Sequence, residues 1–177
     1  MRVAFVTFEY PPFITGGAGV HASQITEELA KLGNQVVVFT PAIGNTDNTE
    51  HPPGANLQVW HVPVREALPF RALQFWINLP GEIKKAEREG KFDIIHINGF
   101  SYWFLPRRLS AAPHVLTVHH LVRDAAENTG LDLSSRMKDL SGENGFLIPR
   151  IEKRAVKSVD KIIAVSNYTK DRILQTY

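Results

Sequence analysis

Six short apolar runs, spaced so that a helical or loop segment fits between each pair, constrain this chain more than any other feature. They fall at about 2–8 (RVAFVTF), 34–40 (NQVVVFT), 57–62 (LQVWHV), 92–97 (FDIIHI), 114–119 (HVLTVH) and 160–165 (DKIIAV). Each is rich in Val and Ile and nearly continuous in apolar character. Strands buried on both faces read this way, and parallel sheets bury both faces. Helical patterns lie between them, at about 18–32, 67–89, 100–110 and 144–158, and the chain closes on SNYTKDRILQTY. Helices between parallel strands require right-handed crossovers. The expectation is an α/β fold: a doubly wound, Rossmann-like parallel sheet with helices on both faces and strand order 3-2-1-4-5-6.

The helices carry finer expectations. The first places Val20, Ile25, Leu29 and Leu32 near one side and stops at Gly33-Asn34. The second is interrupted at Pro80-Gly81. In 144–158, Ile148, Ile151, Ala155 and Val159 fall in phase, and Ser166 or Asn167 caps the last helix. Two segments read as irregular. Residues 41–56 are turn formers with almost no apolar side chains, a mobile loop. Residues 120–143 follow a strand's carboxyl end, where such sheets bind ligands.

At 177 residues, 44% hydrophobic and 21% charged, the chain fits a single globular domain over 1–177. A formal net charge of +2 gives no argument for nucleic acid. Residues 150–177 are more basic, seven Lys/Arg against three acids, which suits a solvated helix face or a weak attraction for anionic lipid or substrate. The absence of cysteine excludes disulfides, Cys-ligated zinc and a thiol nucleophile, and it fits a reducing cytoplasm. No apolar run is long enough to span a bilayer, and VAFVTF is too short for a signal-peptide core, so a soluble, cytoplasmic chain is expected.

Where the first loop meets the first helix stand Gly16, Gly17 and Gly19. The first-turn N–H groups of a helix have no helical partners and can bind an anion. Glycine lets a phosphate or sugar come close to bare backbone. GAGVHA (Gly17 to Ala22) formally matches the dinucleotide fingerprint G-x-G-x-x-A. Two features oppose it: eight residues, Glu9 to Gly16, separate the turn from its strand, and the second strand ends VVVFTPAIG, without an acid to grip a ribose. An NAD(P)-binding oxidoreductase and a purely structural turn remain as alternatives.

The seven histidines form no zinc pattern. His119 and His120 are neighbours on a strand end and point to opposite faces, and no His-x-x-x-His or paired carboxylate supports a metal, so none is expected. His96 suits a buried, hydrogen-bonded histidine as well as a substrate contact. Phe100, Tyr102, Trp103 and Phe104 suit helix packing better than sugar stacking. PFRALQFWINLPGEIKKA reads as an amphipathic crossover helix, with a weak peripheral membrane contact as the alternative.

Four motifs in order carry a resemblance: PP-x4-GGAG with LAKLGNQVVVFT, then DIIHIN, HVLTVHH and KSVDKIIAVSNYTK. Together they resemble the N-terminal half of a GT-B glycosyltransferase of family 4, a group of retaining enzymes that includes glycogen synthases. Asn34 stands where the family usually has His, and Asn98 replaces the second His of its H-x-H, with Gly99 following. The resemblance implies an acceptor-binding domain of an enzyme that moves a sugar from a nucleotide-sugar (a UDP-, ADP- or GDP-sugar) to a hydroxyl acceptor such as a glucan, sugar or lipid. It implies that His119 contacts the transferred sugar near the reacting carbon. Gly16 and Gly17 would serve the donor phosphates. Asn98 and Gly99, and in the loop after His119 also Asp124 and Glu127 beside Arg123, are candidate acceptor contacts. It implies no cofactor beyond substrates. The second, donor-binding domain is expected to be absent from these residues and to be the chain's partner, so that the fragment alone is inactive. The alternative within the resemblance is a naturally separate, non-catalytic sugar-binding or scaffold half.

Overall fold

The computed structural model describes residues 1–43, 49–50, 56–65, 71–99, 108–121 and 147–177. Its elements in chain order are β1 (Arg2–Thr7), α1 (Gly17–Lys31), β2 (Gln35–Pro41), β3 (Thr49–Glu50), β4 (Leu57–Val62) and α2 (Arg71–Ala86). They continue as β5 (Ile94–Asn98), β6 (His114–Val118), α3 (Leu147–Ser158), β7 (Lys161–Ala164) and α4 (Asn167–Thr176). One sheet runs β3-β4-β2-β1-β5-β6-β7. All pairings except the short β3–β4 one are parallel. Leaving β3 aside, the sheet has the expected 3-2-1-4-5-6 order. The segment read as a featureless loop contributes β3, in which Thr49 and Glu50 pair with Trp60 and Val59.

The alternation of side chains across the pleat separates two cores. On one face Phe5, Val36, Val38 and Val59 pack with Tyr10 and with Ala22 of α1. On the other, Ala4, Val6, Phe39, Ile95, Ile97 and Leu116 pack with Phe75, Leu79 and Ile83 of α2, Ala155 and Val156 of α3, and Ile173 of α4. Helices on both faces are what a doubly wound sheet requires.

The helices correct two expectations. Of the first helical pattern, Ile25 and Leu29 pack against the core as expected, whereas Val20 and Leu32 are exposed (46% and 77%); the buried residues of α1 are Gly19, Ala22 and Thr26. This helix packs through small residues: a Cβ on Gly19 would stand 3.0 Å from Glu9 Cβ and 3.0 Å from Ile14 Cγ2. A close backbone approach at Gly19, together with the packing of Ile25 and Leu29, therefore sets its seat. Second, α2 is not interrupted: Pro80 lies inside it. Interior proline costs about 3 kcal/mol. Burial of Phe75, Leu79 and Ile83, all fully inaccessible, contributes roughly 1.5–3 kcal/mol each and outweighs that cost. The helix expected over 100–110 lies mostly outside the described residues; of it only 108–110 are described, and they are irregular. Of the two candidate caps for α4, Ser166 is the one used, its Oγ accepting the Thr169 N–H at 3.1 Å.

At the amino-terminal edge of the sheet, polar stitches hold the strand starts. The Asp160 carboxylate accepts the His114 backbone N–H and an Arg108 N–H, each at 2.7 Å. The His114 hydrogen bond and the Arg108 charge hold its carboxyl below the usual range. The fully buried His114 ring donates from Nδ1 to the Ala112 carbonyl at 2.8 Å and accepts the Leu109 N–H at Nε2. Burial pushes its pKa down.

Candidate functional site

The carboxyl ends of β1, β5 and β6 converge with the first turn of α1, because β1 and β5 are sheet neighbours and α1 leaves β1. At the centre is Asn98, 2% exposed. Its Nδ2 donates to the Ala18 carbonyl at 3.0 Å and to Thr7 Oγ1 at 3.4 Å. Its Oδ1 meets His21 Nδ1 and His119 Nε2, each at 3.0 Å. One amide thus ties together two strand ends, the glycine turn and both imidazoles. The two rings stand edge to face, centroids 5.1 Å apart.

His119 is half-buried and begins where β6 ends. Burial lowers its pKa, and the neighbouring His21 and His120 lower it further. The ring is neutral at neutral pH. Gly99 follows Asn98 with φ +61, and a Cβ there would lie 2.6 Å from His119 Cδ2. Glycine at this position is thus required twice, by the left-handed backbone and by the ring lying against it.

Beneath these residues, His96 Nε2 bonds Thr117 Oγ1 at 2.8 Å and its ring lies 4.7 Å from that of Phe5. Burial, and then the nearby His21, pushes its pKa down to about 4. It is a satisfied core histidine in the described structure.

The glycine turn divides into three roles. The Glu9 carboxylate accepts the Gly16 N–H at 3.0 Å and the Thr15 N–H at 3.3 Å, and it also takes the Thr15 hydroxyl. The Gly16 amide is therefore occupied by a carboxylate of the chain itself. Gly17 is exposed, and a Cβ on it would meet nothing within 4 Å. Gly19 is a packing residue, as described. What the turn offers an outside anion is the backbone at Gly17 and Ala18, at the positive end of the α1 dipole.

Of the sequence candidates, Gly16, Gly17, Asn98, Gly99 and His119 come together at this edge. Asp124 and Glu127, with Arg123 and the aromatic run from Phe100, lie outside the described residues. Glu9, Thr7 and His21 are members of the site that the sequence reading passed over. His21 lies one turn beyond Gly17 on α1, the spacing that brings a side chain onto the same helix face, and this was the available signal. Among the described residues no cluster of three or more His, Asp or Glu could hold a metal ion. None of their helices is long and apolar enough to cross a membrane.

Comparison with known proteins gives a consistent answer. The sequence pattern of Glycosyltransferase Family 4 matches residues 15–177. Alpha-maltose-1-phosphate synthase of Mycolicibacterium smegmatis is 28% identical over 191 residues, spanning all of this chain and 41% of that protein. Glycogen synthase of Mycobacterium tuberculosis is 40% identical over 52 residues, 29% of this chain and 13% of that protein. Among solved structures, sucrose-phosphate synthase from Thermosynechococcus elongatus superposes with a TM-score of 0.69 at 15% identity, covering 98% of this chain and 44% of that one. The chain therefore spans about two fifths of the length of the relatives that match it end to end.

Proposed function

Because the chain belongs to Glycosyltransferase Family 4, we propose that it is the acceptor-side half of a retaining enzyme that transfers a sugar from a nucleotide-sugar to a hydroxyl group. The observation that carries this is the conjunction at one sheet edge of open backbone at Gly17 and a neutral, half-buried His119, joined through Asn98. In the transfer the bond from the anomeric carbon to the diphosphate oxygen breaks and a bond to the acceptor oxygen forms. The acceptor's proton leaves with the departing phosphate. Negative charge grows on the diphosphate, and in this reading the backbone N–H groups at Gly17 and Ala18 receive it. Positive, oxocarbenium-like charge grows on the sugar. A neutral imidazole or an aimed strand-end carbonyl at His119 stabilises that charge, whereas an imidazolium would oppose it. The lowered pKa of His119 suits this role.

The donor base and most donor contacts belong to a second domain, and the 177 residues alone are expected to turn over no nucleotide-sugar. Glucans, sugars and sugar phosphates fit the acceptor side, in keeping with the names of the relatives. Screening the protein that carries both halves against UDP-, ADP- and GDP-sugars, with and without acceptors, tests the reading. His119→Ala is expected to lower turnover about 10- to 1,000-fold, the scale of losing a positioned transition-state contact. An unchanged rate would remove His119 from the mechanism. Tight NAD(H) binding in place of nucleotide-sugar turnover would favour the oxidoreductase alternative.

A further inference from the structure

Asn98 has only one orientation that satisfies its surroundings. The Ala18 carbonyl can only accept, so the amide edge facing it is the NH2. Thr7 Oγ1 spends its hydrogen on the Glu9 carbonyl at 3.0 Å and so also accepts from Asn98. The Oδ1 edge consequently faces both rings, and an amide oxygen accepts only. His21 must then donate from Nδ1 and His119 from Nε2. In a neutral ring the remaining nitrogen, His21 Nε2 or His119 Nδ1, then carries the lone pair.

From this we propose that Asn98 is a positioning residue that fixes His119 as its Nε2–H tautomer and ties that ring to the glycine turn, with His21 as the second donor on the same oxygen. The inference rests on the role of His119 proposed above only for its effect on turnover; the ring assignment stands without it. His119 then presents a lone pair at Nδ1, whose orientation is set by the amide and by the wall that Gly99 leaves open. Movement at Ala18 pulls on the same amide that holds His119, so occupancy of the turn and alignment of the imidazole are mechanically joined through three hydrogen bonds. The titratable groups close to this oxygen are His21 on α1, His96 on β5, and His119 with His120 after β6.

Nitrogen-15 NMR of the imidazole rings in the intact protein, assigned with His21→Gln and His119→Gln, tests the assignment. The expected result at neutral pH is Nδ1–H at His21 and Nε2–H at His119. The His21 result is the more telling, because a free histidine in water favours the other tautomer. Asn98→Asp keeps an acceptor for both rings but adds a charge. It is expected to raise the His119 pKa by about one unit or more and, where His119 serves turnover, to move the acid limb of the turnover–pH profile upward by the same amount. Asn98→Ala is expected to lower kcat about 10- to 100-fold with little change in KM. An Nε2–H His21, an Nδ1–H His119, or a His119 ring whose titration is unmoved in Asn98→Asp would overturn the proposal. If the spectra agree while His119→Ala leaves turnover intact, the transferase role of His119 fails and the positioning by Asn98 stands.

Discussion

Gly99→Ala offers a perturbation whose size follows from two separate features of the structure, and Gly33→Ala isolates one of them. Both glycines have positive φ, +61 and +83. Placing an alanine in the left-handed region costs about 1–2 kcal/mol. At Gly33, the turn that ends α1, a Cβ would meet nothing within 4 Å, so backbone strain is the whole effect. At Gly99 the same strain applies, and the Cβ would also stand 2.6 Å from His119 Cδ2. Ordinary contact requires the ring to retreat by roughly 1 Å, with an overpacking cost of about 1–3 kcal/mol. That retreat stretches the 3.0 Å bond from His119 to Asn98, worth about 1 kcal/mol more. Gly33→Ala should therefore destabilise by about 1–2 kcal/mol and Gly99→Ala by about 3–6 kcal/mol. Urea titrations with matched m-values read the difference directly. In the protein carrying both halves, Gly99→Ala should also lower turnover about 100-fold, the penalty for a 1 Å misplacement, while Gly33→Ala leaves it unchanged. Equal stability losses for the two variants, with the His119 ring resonances unmoved by Gly99→Ala, would refute the reasoning.

Two further outcomes follow from the polar contacts. Glu9→Ala removes the carboxylate that holds the Thr15 and Gly16 amides and should cost about 1–2 kcal/mol in a denaturation experiment, since a half-exposed loop partner is lost rather than a core one. His96 sets an acid limit. Its folded pKa of about 4 lies below the ordinary histidine value near 6.5, so the unfolded chain takes up the proton first as pH falls. Stability is full above about pH 6.5 and declines by roughly 3 kcal/mol towards pH 4, with the lowered His114 and His119 acting in the same direction. Denaturation midpoints at pH 7 and 5 should converge in His96→Gln, and an unaltered pH slope would contradict this cause.

Much of the architecture could be read from the chain because parallel strands advertise themselves. DIIHIN and HVLTVH are short, rich in Val and Ile and nearly continuous in apolar character, as strands buried on both faces are. The strand order was the one expected of a doubly wound sheet, and the structure has it. The helices were less legible. Periodicity found Ile25 and Leu29 of α1, but not Gly19 lying against Glu9 and Ile14, a close approach that leaves no apolar signal, and it wrongly added the exposed Val20 and Leu32. Pro80 looked like a break because proline's local cost is plain in the sequence, whereas the burial that offsets it, at Phe75, Leu79 and Ile83, is a tertiary property. In the site, His119 and Gly17 stood out by position. The hub at Asn98 did not, since its four partners come from residues 7, 18, 21 and 119, and only the fold brings them together.

The measurement closest to the central claim is turnover of a nucleotide-sugar by the two-domain protein carrying Gly17→Val. The Gly17 position is exposed and a Cβ there touches no protein atom within 4 Å, so folding stability should stay within about 1 kcal/mol of the parent. The added side chain covers the backbone at the head of α1, and turnover should fall at least about 100-fold, as when an oxyanion-stabilising donor is lost. A stable Gly17→Val protein with the parent's rate would show that the diphosphate is bound elsewhere.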